Sequence, residues 1–208
     1  MKYLNSRLSA AMWARVLLLW LTLTIGALVL GIVAIGLGRF VQDNIRTELA
    51  SQQITFSTVD KMADEEKQIP GMVENAGQPL TTGNQAKVYS ELMALHVKNL
   101  SASAGYPDAT YATLGGVYFQ MQAALKTIDP KDQAAVDAAT AKFKAVSDLR
   151  NTLQTASTLR GNLLSAYGWD NVATGITAAG GFLILLAVVF FVLFFYEWRR
   201  GHLPPTEA

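Results

Sequence analysis

Apolar and polar positions divide the chain into two long uncharged stretches and a patterned segment between them. Val16 to Gly38 runs for 23 residues without a charge. As a helix it is about 35 Å long at about 1.5 Å per residue, enough to cross a hydrocarbon core of about 30 Å. A cleaved signal peptide is the competing reading. Such peptides carry an apolar core of about 7–15 residues followed by a small-residue cleavage site. Neither condition holds, so the pattern predicts an uncleaved anchor. Asn171 to Tyr196 is the second uncharged stretch, 26 residues long. Tyr196 and Trp198 lie at its end with Arg199 and Arg200 beyond, and Tyr167 and Trp169 mark the opposite boundary. Amphipathic rings and flanking cations are expected at the two headgroup layers, which makes these six residues the predicted interfacial anchors.

Between the stretches the apolar period is helical. Val41, Ile45 and Leu49 recur every four residues and extend the first helix beyond the membrane. Residues 57–84 hold Pro70, Gly71, Gly77, Pro79 and Gly83 and show no sustained period, so a mostly irregular loop is expected there. A loop of that length usually covers something or is covered, here the membrane or a partner. A helical face resumes at Gln85 with Ala86, Tyr89, Leu92 or Met93, His96 and Leu100. Another helix is expected from about Tyr111 to Lys126, burying Leu114, Tyr118, Met121 or Gln122, and Leu125. Asp129 then reads as a helix cap, with Pro130 in the first helical position and Asp132 near the positive helix end.

From there Val136, Ala139, Phe143, Val146, Leu149, Leu153, Ala156, Leu159, Leu163 and Tyr167 keep spacings of three and four. One long helix is expected, its stripe packed on the two shorter helices and its end continuous with the second span. The predicted fold class is all-α: transmembrane helices at 16–38 and 171–196 flank a helical bundle at 39–170, with tails at 1–15 and 197–208. Lys2, Arg7, Arg15, Arg199 and Arg200 lie on the tail side of the spans, against Arg39, Arg46 and Arg160 on the other. That bias places both termini in the cytoplasm of a bacterium and residues 39–170 outside its cytoplasmic membrane. The segment 40–170 has 11 basic and 14 acidic residues, a net of −3, whereas the two ends together are basic.

Composition narrows the chemistry. Only 16% of the 208 residues are charged, where a soluble domain has about 25%. A net charge of +1 offers no basic surface for nucleic acid. The absence of cysteine excludes disulfides, thiolate nucleophiles, iron–sulfur clusters and Cys-type zinc sites. His96 and His202 fall on opposite sides of the membrane in this topology and cannot share a metal within one chain. His96 is therefore expected to pack or cap. Asp60, Asp64, Glu65 and Glu66 lack the spacing of a calcium loop and read as a solvated turn. Met62, Met72, Met93 and Met121 read as packing residues. No G-x-S-x-G elbow, Walker motif or dinucleotide fingerprint occurs. Asn99-Leu100-Ser101 matches a glycosylation sequon, which matters only in a eukaryotic secretory pathway. Neither span contains Asp, Glu, Lys, Arg, His or Met, one of which an ion path or haem ligand inside the bilayer ordinarily needs. No catalytic, cofactor or metal residue is expected.

The spans do contain small residues in register. Ala27, Gly31, Ala34 and Gly38 share one helical face, and Ala173, Thr177, Gly180 and Ala187 form a similar stripe. Small faces let helices approach closely in lipid, where van der Waals packing drives association. They are expected to pack either on each other or on partner subunits.

The order of features resembles a loosely defined group of actinobacterial two-span membrane proteins. The carrying segments are ELASQQITFS after the first span, NQAKVYSELMALHVKNL, GYPDATYATLG, and STLRGNLLSAYGW before the second span. Some members carry a ring-opening dioxygenase label, but the histidine count here does not supply that chemistry, and the resemblance implies no other activity. The expected function is a non-catalytic accessory subunit of a larger bacterial membrane complex. An oxidoreductase, either a respiratory supercomplex or a membrane monooxygenase, is the expected host, with other integral-membrane subunits as partners. The alternative is an extracytoplasmic sensor. Only Glu197 to Ala208 follow the second span, and a signalling domain needs about 50 residues, so a sensor would require a separate cytoplasmic partner.

Overall fold

The computed structural model describes residues 10–201, and the expectations resting on Lys2, Arg7 and His202 lie outside them. The described chain is helical: α1 (Ala10–Ser51), a 3-10 turn (Val59–Lys61), α2 (Asp64–Lys67), α3 (Gly83–Ser103), α4 (Thr113–Leu125) and α5 (Gln133–Gly201). It forms two compact units. One contains the described residues 10–44 and 170–201; the other is residues 45–169.

In the first unit, α1 and α5 each supply a stretch long and apolar enough to cross a membrane. Only 6% and 11% of those stretches is buried, the reverse of what a core helix in a soluble protein shows. Hydroxyls within α1 are satisfied without water. Thr22 donates to the Leu18 carbonyl and Thr24 to that of Trp20, both at 2.8 Å.

The 45–169 unit has its own core. Leu49, Phe56, Met62, Met72, Leu80, Ala86, Leu92 and Leu163 are buried together, and Leu114, Leu149 and Leu153 form a second cluster. On α5 each position of the predicted stripe from Val136 to Tyr167 is buried or half-buried. Its helical period is therefore the packing period.

Three local expectations change. First, Phe56, Met62, Met72 and Leu80, all 4% exposed or less, come from the segment around the expected loop. That segment is short of regular structure, as expected, but it also fills the core with these side chains. A single antiparallel bridge pins it, with Phe56 N–H donating to Gln78 at 3.0 Å and Leu80 N–H to Ile54 at 2.8 Å. Gly71 sits at φ 85°, a left-handed conformation that favours glycine, and a Cβ there would lie 2.8 Å from a Val88 methyl.

Second, α5 begins three residues later than Pro130 predicts. Asp132 is the residue that caps it, its carboxylate accepting from Ala135 N–H at 3.1 Å. The Asp129 carboxylate accepts from Lys131 N–H at 2.9 Å and closes a turn instead. Aspartate favours both positions for the same reason, a short acceptor close to its own backbone. Third, Leu100 on α3 is 41% exposed, while Ser90 and Ser101 are buried. Each serine donates to the carbonyl three residues back, Lys87 and Lys98, so its hydroxyl enters the core already paired.

Candidate functional site

In the first unit, α1 and α5 run antiparallel. Trp20 stacks near Phe190 at 5.9 Å between ring centroids, Gly31 faces Gly180, and Gly38 faces Ala173 and Thr177. The Gln42 side-chain amide donates to the Thr174 hydroxyl at 3.0 Å. Numbers rise along one helix as they fall along the other. A Cβ on Gly31 would lie 2.8 Å from the Gly180 carbonyl oxygen and 2.8 Å from an Ile184 carbon. A Cβ on Gly180 would meet the Gly31 carbonyl at the same distance. Backbone thus rests on backbone, which only glycine permits at both positions. Ala173 and Ala187 are buried, and Ala27, Ala34 and Thr177 are half-buried. Gly26, Gly36, Gly175 and Gly181 face open space. The two small-residue stripes are brought together around Gly31–Gly180 and Gly38–Ala173.

The six anchor residues are not alike. Trp169, Tyr196 and Trp198 are 60%, 60% and 44% exposed. Trp198 also stacks on Phe195 at 5.7 Å, and Arg199 and Arg200 are exposed. Tyr167 differs: it is half-buried within the 45–169 unit, with the Lys87 ammonium 5.4 Å from its ring centre. Its role there includes packing against α3.

Polar residues tie the irregular segment to α3. Thr82 caps α3 through Gln85 N–H at 3.2 Å, and the Gln85 side-chain oxygen accepts from Thr81 and Thr82 N–H at 2.8 and 3.1 Å. The Gln85 amide group donates to Asn75 and Gln78, each at 3.2 Å, so a side chain only 8% exposed is fully used. Thr-x-x-Gln is a capping-box pattern, legible in the sequence and absent from the reading above.

Glu66 on α2 accepts from Ala63 N–H at 3.0 Å and lies 2.7 Å from His96 Nε2 on α3. Next to it, Asn99 donates to Glu65 at 3.2 Å. His96 is therefore neither a core residue nor a cap. It is an exposed clamp on a carboxylate of the acidic turn, and that turn is tied down at two of its four acids. Among the described residues no group of three or more His, Cys, Asp or Glu could hold a metal.

The hydrogen bond from His96 holds the Glu66 carboxyl below the usual carboxylate range, aided by Ala63 N–H and opposed by partial burial. A carboxylate whose folded value is depressed stabilises the fold above the unfolded value, and the effect is lost as pH falls through the folded one. As pH falls from above the ordinary carboxylate value of 4.5 through the lowered folded value, wild-type protein should therefore lose more thermal stability than Glu66→Gln. Parallel midpoints across that window would show that the clamp carries no free energy.

No protein-family model, curated protein or solved structure matches the chain. The functional reading rests on its own residues.

Proposed function

We propose that the chain is a membrane-anchored, non-catalytic accessory subunit of a larger bacterial membrane complex. In this reading α1 and α5 seat it in the cytoplasmic membrane, both termini are cytoplasmic, and residues 39–170 lie outside. The observation that carries the proposal is how the helix pair uses its faces. Small residues are spent on the seam between the helices, while Leu18, Leu30, Phe182 and Leu185 are each 60% exposed or more in stretches without charge. Such faces suit hydrocarbon and the apolar surfaces of neighbouring membrane helices alike. The 45–169 unit supports the same reading, because it brings a core of its own.

A photoreactive side chain at Phe182 or Leu185, with buried Ala187 as control, tests this in the source cells. The expected result is a discrete protein adduct at the exposed sites, matched by stoichiometric partner subunits after purification in mild detergent. Lipid adducts alone, together with a monodisperse species containing only this chain, would sink the proposal.

A further inference from the structure

Arg150 on α5, in the 45–169 unit, is half-buried and held by three contacts. Its guanidinium carbon lies 3.8 Å from the centre of the Tyr111 ring and 5.2 Å from that of Tyr118. Its Nε donates to the Tyr111 carbonyl at 3.3 Å. Gly115, buried on α4, leaves room beside it: a Cβ there would sit 4.0 Å from Nη2. Stacking and the Nε bond fix the plane of the group, yet no carboxylate pairs with it. The ion pairs among the described residues are Lys67–Asp64, His96–Glu66 and Lys144–Asp148. No buried side-chain nitrogen lacks a partner either, so the two terminal nitrogens of Arg150 reach solvent.

What such an edge recognises follows from its shape and surroundings. Two parallel N–H donors in one plane match the two oxygens of a carboxylate. Cation–π stacking engages the faces of the guanidinium and leaves that edge free. Residues 45–169 hold 11 basic and 12 acidic side chains, a net of −1, which disfavours a doubly charged phosphate at a single cation. Tyr118, which stacks on the guanidinium, also lies 5.5 Å from Phe119 and 4.9 Å from Phe143, and Phe119 is 62% exposed. We propose that Arg150 is the recognition point of a binding site for a small monocarboxylate with an apolar or aromatic body. The carboxylate takes the free guanidinium edge, and the body lies along Tyr118 and Phe119.

This goes beyond the accessory-subunit reading and is tested on the purified chain, so either can fail alone. Arginine side-chain NMR signals of the full chain in uncharged detergent would be followed during titration with 3-phenylpropionate, propionate, chloride and phosphate at constant ionic strength. The Arg150 signal, identified by its loss in Arg150→Lys, should shift saturably with both carboxylates, and about threefold more tightly with phenylpropionate. The other arginines should drift without saturation. Arg150→Lys keeps the charge and loses the fork; it should abolish saturable binding. Phe119→Ala alters an exposed residue, so the fold should survive; it should remove the phenylpropionate preference and keep propionate binding. Uniform drift of all arginines, an equal response to chloride or phosphate, or a preference unaltered by Phe119→Ala would overturn the proposal.

Discussion

Gly31→Leu should force α1 and α5 apart and leave membrane insertion nearly intact. The first β-carbon already meets the Gly180 carbonyl and an Ile184 carbon at 2.8 Å, closer than real contacts come. The remaining leucine atoms need still more room. Overpacking of a close-fitted interface costs about 1–3 kcal/mol. Leucine itself favours both a helix and a hydrocarbon core, so nothing in the single helix offsets or hides the effect. Gly36→Leu is the matched control, since nothing lies within 4 Å of a β-carbon there. The chain has no cysteine, so Gln42→Cys with Thr174→Cys reports on the pair cleanly through a short thiol cross-linker. Cross-linking should slow about tenfold in Gly31→Leu, as about 1–3 kcal/mol implies, and change little in Gly36→Leu. Equal rates would mean that the small residues reflect composition and carry no packing.

Much of this seam was legible beforehand, and the reason is physical. A helix repeats its faces every 3.6 residues, so Ala27, Gly31, Ala34 and Gly38 announce a face whatever covers it. What covers it was not legible. The sequence left the other span and a partner subunit open, because both present small residues in the same way; in the structure Gly31 lies against Gly180. The stripe on α5 was legible for the same reason, from Val136 to Tyr167. Periodicity failed where the core is built without it. Phe56, Met72 and Leu80 sit on a bridge and turns, so their spacing follows chain path and not helical pitch.

Polar contacts divide along a different line. The Thr82–Gln85 cap spans three residues and leaves a pattern in the sequence. The contacts between Glu66 and His96 and between Arg150 and Tyr111 join residues 30 and 39 positions apart, so no local motif reveals either. His96 looked like a face residue because it falls at helical spacing from Tyr89 and Leu92. A half-buried carboxylate on α2, Glu66, takes it to the rim of that face instead.

The irregular segment gives the second large effect. Phe56 is 2% exposed, stands edge-on to Tyr89 at 5.6 Å between centroids, and touches a cluster containing Met62, Met72, Leu80, Leu92 and Leu163. Phe56→Ala removes that ring and leaves a cavity that bridge-pinned backbone cannot collapse to fill, at a cost of about 3–5 kcal/mol. Small domains are stable by about 5–15 kcal/mol, so the loss is a large share of the total. Val59→Ala, three residues on at a 44% exposed position, should cost about 0.5 kcal/mol or less. Because the cluster draws on residues 49–92 and on Leu163 of α5, the damage should spread beyond the segment. Hydrogen exchange on the full chain should accelerate in α3 and in α5 around Leu163 as well as at Phe56 and Leu80. Faster exchange confined to residues 52–82 would mean that the segment is a cover laid over a core complete without it. The burial of Phe56, Met72 and Leu80 argues instead that the core is assembled from the segment itself, which makes its irregular backbone as necessary to the fold as any helix packed on it.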